Sequence, residues 1–334
     1  MQVIDLHDKG LLREAIGEYM TALGKKDNRV VVLNADLMKA SRNKPFVESF
    51  PERSFNMSIA EQNMVSFAAG LAHEGFIPYC FSMAPFLSMR ACEQVRTDVA
   101  YGNLNVRLMA IYSGVSGGIS GATHWGMEDY GIMRSIPNMT IVEPSDIIQA
   151  KKLLEASLTY NGTIYFRISC EPVARIYDKD DNFEIGKAVR LRKGKDGAFI
   201  CSGVTVQYAC KAADRISKSL GIEVSVIDMY SIKPIDKALI IEEAKSKNII
   251  VAQDHNTAGG LGEAVAGVIA HEGINCKIKC VGIPDRFEIM AHSPYLYHKF
   301  HMDSDGLEKE MRKLIMGNTS FSIVESMTTA TDSF

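Results

Sequence analysis

Residues 59–81, IAEQNMVSFAAGLAHEGFIPYCF, place a stretch with helical periodicity directly before a short apolar run. Apolar residues recur three and four positions apart through residues 59–73, which predicts an amphipathic helix, and the run Ile77–Phe81 predicts a buried strand. A helix followed by a buried strand is the repeating unit of a parallel sheet covered by helices. The segment therefore favours an α/β fold.

The same alternation extends in both directions from this segment. In the first half, further strands are predicted at Val30–Asn34, Val106–Tyr112, Thr140–Val142 and Thr163–Arg167, and helices near 9–24, 88–101, 126–135 and 145–159. Later in the chain, strands are predicted at Ala198–Cys201, Glu223–Ile227, Asn248–Ala252 and Cys276–Val281, and helices near 204–219, 235–246, 260–272 and 306–316. The charged segment Tyr177–Gly186 lacks apolar periodicity and separates the two series. We expect two doubly wound, mostly parallel domains at residues 1–178 and 186–317, and a flexible Ser/Thr-rich tail at 318–334.

Composition excludes several classes of protein. The 334-residue chain is 46% hydrophobic and has a net charge of −3, which is typical of a globular protein. No basic run is long enough to neutralise a series of phosphates, so we expect no nucleic-acid partner. No apolar run approaches the roughly 18 residues of a membrane span. The seven cysteines form no CxxC pair, and the CxxxC pair of Cys276 and Cys280 is weak evidence for a metal, so we expect reduced thiols in the cytoplasm.

In open α/β sheets the ligand site lies beyond the carboxyl ends of the strands. Ser58 and Glu61 have the S-x-x-E spacing of a capping box at the start of the 59–73 helix, so Glu61 is either a helix cap or a functional carboxyl group. Spacing alone favours the cap.

The string SIAEQNM, followed by AAGLA, resembles the segment of transketolases whose glutamate contacts thiamine diphosphate. The resemblance covers residues from about 9 to 315. It implies a thiamine-diphosphate pyrimidine-binding domain followed by a smaller transketolase C-terminal-like domain. It also implies that Glu61 is catalytic: a buried carboxyl group sharing a proton with the pyrimidine ring favours the tautomer that activates the cofactor, and the cofactor carries the organic chemistry.

Residues 79–94, YCFSMAPFLSMRACEQ, match the stretch in which transketolases carry two phenylalanines that wall the pyrimidine ring. Phe86 matches the second phenylalanine and Met83 replaces the first. An aromatic face stacks on a heteroaromatic ring, and a thioether is a polarizable substitute. The alternative is that these residues belong to the core at a strand-to-helix turn.

The glycine-rich loop at residues 113–125, SGVSGGISGATHW, lets the backbone approach a ligand closely. Transketolases carry GEDG(A/P)TH where this chain reads GISGATH. The resemblance makes His124 a catalytic and substrate-contacting residue, with Tyr112 and Ser120 in the substrate site. Ile119 and Ser120 replace the family's acidic pair, and Tyr112 replaces a histidine. A lone histidine is otherwise more often structural.

Three dispersed residues match further family positions. Arg13 and Arg167 match arginines that grip the terminal phosphate of a sugar, a task that suits the bidentate guanidinium group. Asp36, in NADL, matches the aspartate of the family's SADL string and is expected near the cofactor. Ala40 stands where the family has a phosphate-binding serine. Each residue alone is more often an ordinary surface charge.

The later strings GKDGAFICSGVTVQYA, AQDHNTAGGLGEAVA and VGIPDRF follow the order of the transketolase C-terminal domain. The chain has no GDG motif, with which the family binds the metal that neutralises the diphosphate. The resemblance therefore implies a split enzyme. An N-terminal transketolase subunit would carry the diphosphate and its Mg (or Ca), in an α2β2 assembly of closed symmetry.

We expect transfer of a two-carbon ketol unit from a ketose to an aldose. Because Tyr112, Ile119, Ser120 and Ala40 depart from the family pattern, we expect sugars other than the standard pentose phosphates. Alternatives are the β subunit of a 2-oxo acid dehydrogenase, a deoxyxylulose-phosphate synthase, and a non-catalytic sugar- or nucleotide-binding module, since fold alone does not fix function.

Overall fold

The computed structural model describes residues 8–317, in which strands and helices alternate. The strands are β1 (Lys9–Leu11), β2 (Val30–Asn34), β3 (Ser54–Asn56), β4 (Ile77–Met83), β5 (Arg107–Ile111), β6 (Thr140–Val142), β7 (Ile164–Ile168), β8 (Pro172–Ala174), β9 (Val189–Arg192), β10 (Gly197–Cys201), β11 (Val224–Asp228), β12 (Ser231–Lys233), β13 (Asn248–Asn256) and β14 (Lys277–Ile283). The helices are α1 (Leu12–Lys26), α2 (Met38–Ser41), α3 (Lys44–Ser49), α4 (Glu61–His73), α5 (Cys92–Gln94), α6 (Asp129–Ser135), α7 (Ile147–Ser157), α8 (Thr205–Leu220), α9 (Lys237–Ala244), α10 (Leu261–His271), α11 (Ser293–Lys299) and α12 (Ser304–Met316). Short 3₁₀ turns lie at Pro51–Arg53 and Gly118–Ser120, and π-helical turns lie at Phe86–Arg90 and Val95–Ala100.

The first sheet has the strand order β12-β6-β7-β5-β4-β2-β3 within residues 8–317. All its pairs are parallel except β12 with β6. Strands β2, β5 and β7 are buried along their whole length, as expected of strands covered by helices on both faces. From β2 the chain turns to β3 on one side and then to β4 on the other. The carboxyl ends of β2 and β4 therefore flank the crevice where such sheets bind ligands.

The second sheet has the order β14-β13-β10-β11-β9 in the same range, parallel except for the edge strand β9. Both sheets are thus rich in parallel pairs and alternate with helices, and the predicted α/β fold class is confirmed. We refer to residues 186–317 as the second half of the chain.

The two halves share structure. Strand β12 comes from the second half but extends the first sheet by pairing with β6. Strands β1 and β8 form a separate antiparallel pair. The domain limits at residues 178 and 186 stay a prediction, and the tail at 318–334 lies outside the described residues. No helix within residues 8–317 combines the length and the hydropathy required to span a bilayer.

One predicted helix takes an irregular form. The segment near 88–101 is two π-helical turns on either side of α5, with Ala91 N–H donating to Phe86 O and Tyr101 N–H to Arg96 O. Apolar periodicity does not reveal the extra residue that each wide turn inserts. Such turns occur frequently at functional sites, and the first of them, Phe86–Arg90, follows the carboxyl end of β4.

Candidate active site

Glu61 is a buried carboxylate and not a capping-box residue. Helix α4 begins at Glu61 itself, its N-cap residue is Ala60, and no side chain caps the helix. Ser58 instead has a left-handed backbone with φ 58°, and its N–H donates to the Asn56 side chain. The Glu61 side chain is 0% exposed, at a helix N-terminus where the dipole favours an anion.

Two side chains hold the Glu61 carboxylate. Ser82 Oγ donates to Oε1 over 2.8 Å, and Arg90 Nη1 donates to Oε2 over 2.7 Å. The Arg90 guanidinium also lies over the Phe86 ring, 4.2 Å from its centroid, and the Arg90 side chain is 42% exposed. The sequence analysis missed Ser82 and Arg90. Ser82 could have been found from its place at the carboxyl end of β4, and Arg90 from its position four residues after Phe86.

His124 approaches this cluster from the glycine-rich loop. Its ring meets the edge of the Phe86 ring at a centroid distance of 5.6 Å, and its Nδ1 bonds with Thr123 Oγ1 at 2.8 Å. Met83 is half-buried beside Ser82 at the end of β4. The structure thus brings Glu61, Phe86, Met83 and His124 to one edge of the first sheet.

The loop also carries Tyr112 and Ser120. Tyr112 directly follows β5, is half-buried and has a φ of 60°. Ser120 and Ile119 are exposed in the 3₁₀ turn. A Cβ atom at Gly114 would lie 2.1 Å from the Asp254 carboxyl carbon, and one at Gly118 would lie 2.9 Å from Ser293 Oγ. These two glycines therefore make room for the second half of the chain.

Asp36 and Arg13 lie on other elements of the first domain, after β2 and on α1. Asp36 is exposed after β2, where the Asn56 side chain donates to its carboxylate over 3.2 Å. Asp36 and Asn56 line a cavity of about 400 Å³ at the carboxyl ends of β2 and β3. Arg13 is half-buried on α1, and its Nε atom is buried without a hydrogen-bond partner. Burial raises the pKa of Cys170 to about 11, and the nearby Arg13 charge opposes that rise.

Arg167 is enclosed in the core. Its side chain is 0% exposed and pairs with Asp129 over 2.9 Å and with Glu143 over 2.6 Å. Its Nη2 group donates to the backbone oxygens of Gly126 and Asp254. Since its guanidinium group is enclosed and paired with two carboxylates within the chain, we leave Arg167 out of the proposed substrate site.

Buried titratable groups continue from Arg167 into the second half. Burial raises the pKa of Asp254 to about 7 and lowers the pKa of His255 to about 4. Asp254 accepts hydrogen bonds from Tyr297 Oη and from Val115 N–H, each over 2.9 Å. The junction between the two sheets is thus a polar network formed within the chain.

The residues present fit part of a thiamine cofactor. A buried carboxylate beside a half-buried aromatic ring suits the pyrimidine ring. The diphosphate needs a metal ion or cationic side chains. Within residues 8–317, one group of three possible metal ligands is found, namely His298, Asp303 and Asp305. It lies at α11 and α12 of the second half, where Asp303 caps α12 and pairs with His298.

Two family models match this chain. The model of the transketolase pyrimidine binding domain matches residues 9–172, and that of the transketolase C-terminal domain matches residues 186–307. A Methanocaldococcus jannaschii protein described as a transketolase C-terminal section is 40% identical over 90% of this chain and 96% of its own length. The 6-deoxy-6-sulfo-D-fructose transketolase subunit SqwH of Clostridium sp. strain MSTE9 is 37% identical over 86% and 89%.

A solved structure is similar over nearly the whole chain. It is described as a split-gene transketolase in an inactive β4 tetramer, and it superposes with a TM-score of 0.82 at 33% identity. The match covers 92% of this chain and 98% of that one.

Proposed function

The chain belongs to the transketolase family as the C-terminal subunit of a split enzyme, and from that premise we propose that Glu61 is the carboxyl group that activates thiamine diphosphate for ketol transfer. When bound, the cofactor supplies the carbon nucleophile that breaks and forms the carbon–carbon bonds. The observation that carries the proposal is a fully buried carboxylate whose counter-charge, Arg90, is partly exposed.

Within this proposal, each oxygen of Glu61 has its own task. Ser82 fixes Oε1 and so orients the carboxyl group. With the cofactor bound, Oε2 would share a proton with the pyrimidine ring nitrogen, and Phe86 and Met83 would pack against the ring. In the free chain Arg90 occupies Oε2 and covers Phe86, and because its side chain is partly exposed it could turn outward to admit the ring. Asp36, after β2, stays a proposed cofactor contact.

The sugar binds beyond the ring, on the side of the glycine-rich loop. We assign His124 to the reacting end of the ketose because its ring touches Phe86. Tyr112, Ser120 and Arg13 are the proposed contacts farther out, and the unpartnered Nε of Arg13 leaves a cationic donor for a terminal anion. A relative named for a sulfonated fructose supports a donor other than the standard pentose phosphates.

A separate N-terminal subunit supplies the diphosphate and metal site, with two copies of each chain in the assembly. Three large apolar side chains close in sequence to Glu61 or Arg90 are exposed: Ile59 is 70% exposed, Met89 48% and Phe67 40%. Because exposed apolar side chains are typical of protein interfaces, we propose that they face the partner chain. The relative described as an inactive β4 tetramer supports a subunit that needs a second kind of chain.

Mutation of Glu61 in the reconstituted complex tests the proposal. We expect Glu61→Gln and Glu61→Ala to lower kcat at saturating thiamine diphosphate by roughly 100-fold or more, the range of general acid–base catalysis. The matched control is Glu74→Gln, at the exposed end of the same helix, which should leave kcat unchanged. Normal turnover by the Glu61 variants with 6-deoxy-6-sulfo-D-fructose as donor would contradict the proposal.

The alternative activity is that of a 2-oxo acid dehydrogenase β subunit. It predicts acyl transfer to a lipoyl domain, which the same complex can be assayed for. The transketolase relatives favour ketol transfer. The cytoplasmic location stays a prediction from the cysteines, which are free in residues 8–317.

A further inference from the structure

Val115, near the start of the glycine-rich loop, is held by side chains from the second half of the chain. Its N–H donates to Asp254 Oδ1 over 2.9 Å, and its carbonyl oxygen accepts from Ser293 Oγ over 3.0 Å. Asp254 lies near the carboxyl end of β13, and Ser293 begins α11. Both polar groups of one loop residue are therefore bound by two separate elements of the second half.

The contact is close and buried. Val115, Asp254 and Ser293 are all buried, and Tyr297 Oη donates to the second oxygen of Asp254. Gly114 and Gly118 have no side chain to keep Asp254 and Ser293 away. A buried peptide group that loses such a partner costs free energy, so the loop has a strong preference for this position.

Two hydrogen bonds link Val115 to Trp125, the residue after His124. Gly118 N–H donates to the Val115 oxygen, and Gly118 O accepts from Trp125 Nε1 over 3.0 Å. Trp125 is fully buried and is the neighbour of His124. A displacement of Val115 therefore moves the Trp125 ring and the backbone of His124 with it.

We propose that Asp254 and Ser293 are positioning residues, by which the second half of the chain sets the place of His124 and Ser120 in the site. The role of His124 rests on the proposed function, whereas the hydrogen bonds from Asp254 and Ser293 to Val115 are independent of it. The second half of the chain thereby contributes to sugar binding.

Trp125 is the chain's single tryptophan, so its fluorescence reports on this loop. In the full-length chain, we expect Asp254→Ala to red-shift Trp125 emission and to raise its acrylamide quenching constant about twofold, because the loop opens locally. Asp254→Asn keeps an acceptor for Val115 N–H and should behave as wild type. Tyr297→Phe, which removes the other bond to Asp254, is the matched control and should leave emission unchanged.

Two results overturn the proposal. One is wild-type emission and quenching in a folded Asp254→Ala chain. The other is an equal red shift in Tyr297→Phe, which would mean a general loosening of the junction. The fluorescence experiment requires no turnover, so its outcome is separate from that of the Glu61 variants.

The assembled complex tests the consequence for the reaction. With 6-deoxy-6-sulfo-D-fructose as the probe, Ser293→Ala should raise KM by about tenfold and also lower kcat, because His124 and the sugar contacts are misplaced while Glu61 is not. The dissociation constant for thiamine diphosphate should stay unchanged. A fall in cofactor affinity with an unchanged KM would contradict the assignment.

Discussion

Two buried clusters of charge in this chain differ in one respect. Around Arg167, the cation and the carboxylates of Asp129 and Glu143 are all enclosed, with 0–3% of their side chains exposed. Around Glu61, the carboxylate is enclosed but the Arg90 side chain is 42% exposed. Burying a charge is costly unless it is paired. A cluster completed within the chain therefore stabilises the fold, whereas a carboxylate whose partner can leave is suited to another molecule.

The largest expected effect comes from breaking the enclosed cluster. Arg167→Met removes a cation from two buried carboxylates, and we expect the free energy of unfolding to fall by about 3–5 kcal/mol. Chemical denaturation of the chain measures this change. The control is Arg215→Met, which breaks a surface pair with Asp305 and should cost at most about 1 kcal/mol. Equal losses in the two variants would remove the distinction between the clusters.

Another buried carboxyl group, Asp228, has no salt bridge within residues 8–317. Its Oδ2 accepts from Ser145, Gln149 and Tyr177, and its Oδ1 has no partner. Burial raises its pKa from 3.8 to about 7. The folded pKa lies above the unfolded one, so its contribution to stability is greatest below pH 4 and is lost as pH rises through 7.

Asp228→Asn replaces a carboxyl group that titrates with an amide that does not. The free energy of unfolding of the variant should therefore fall less than that of the wild type as the pH rises from 5.5 to 8. We expect a difference of about 2 kcal/mol, from 1.4 kcal/mol per pH unit below the folded pKa. Denaturation curves at several pH values measure it. Parallel curves for the two proteins would show that Asp228 titrates normally. Asp254 is present in both proteins, so its contribution to the pH dependence of stability is the same in each.

The sequence allowed the fold class and the position of Glu61 to be predicted, but not the partners of the charges. Apolar periodicity is local, so it located strands such as Val30–Asn34 and Thr140–Val142 to the residue. The S-x-x-E spacing of Ser58 and Glu61 gave the wrong local structure, because spacing does not show that Asn56 already binds the Ser58 N–H. The catalytic role that the resemblance gives Glu61 stays a prediction.

Arg167 shows why the rest could not be predicted. The resemblance implied that it grips the terminal phosphate of a sugar, yet its side chain is enclosed, on strand β7 between β5 and β6. Its partners Asp129, Glu143 and Asp254 lie 38, 24 and 87 residues away in sequence. Only the packed structure reveals that these groups meet. The hold of Asp254 on Val115, across 139 residues, was missed for the same reason.

The smallest stability effect is expected at Arg90, where the comparison is most sharply tested. Arg90→Met keeps an aliphatic chain over Phe86 and leaves the buried Glu61 carboxylate with the Ser82 hydrogen bond, so the free energy of unfolding should fall by about 1–2 kcal/mol, less than in Arg167→Met, where two enclosed carboxylates lose their cation. In the assembled complex the affinity for thiamine diphosphate should rise several-fold, because the ring no longer displaces a guanidinium from Oε2 of Glu61. Calorimetric titration measures both complexes, with Arg96→Met, an exposed neighbour, as the control. Weaker binding by the Arg90 variant alone would mean that this arginine contacts the cofactor, and the exposed partner of Glu61 would then belong to the finished site.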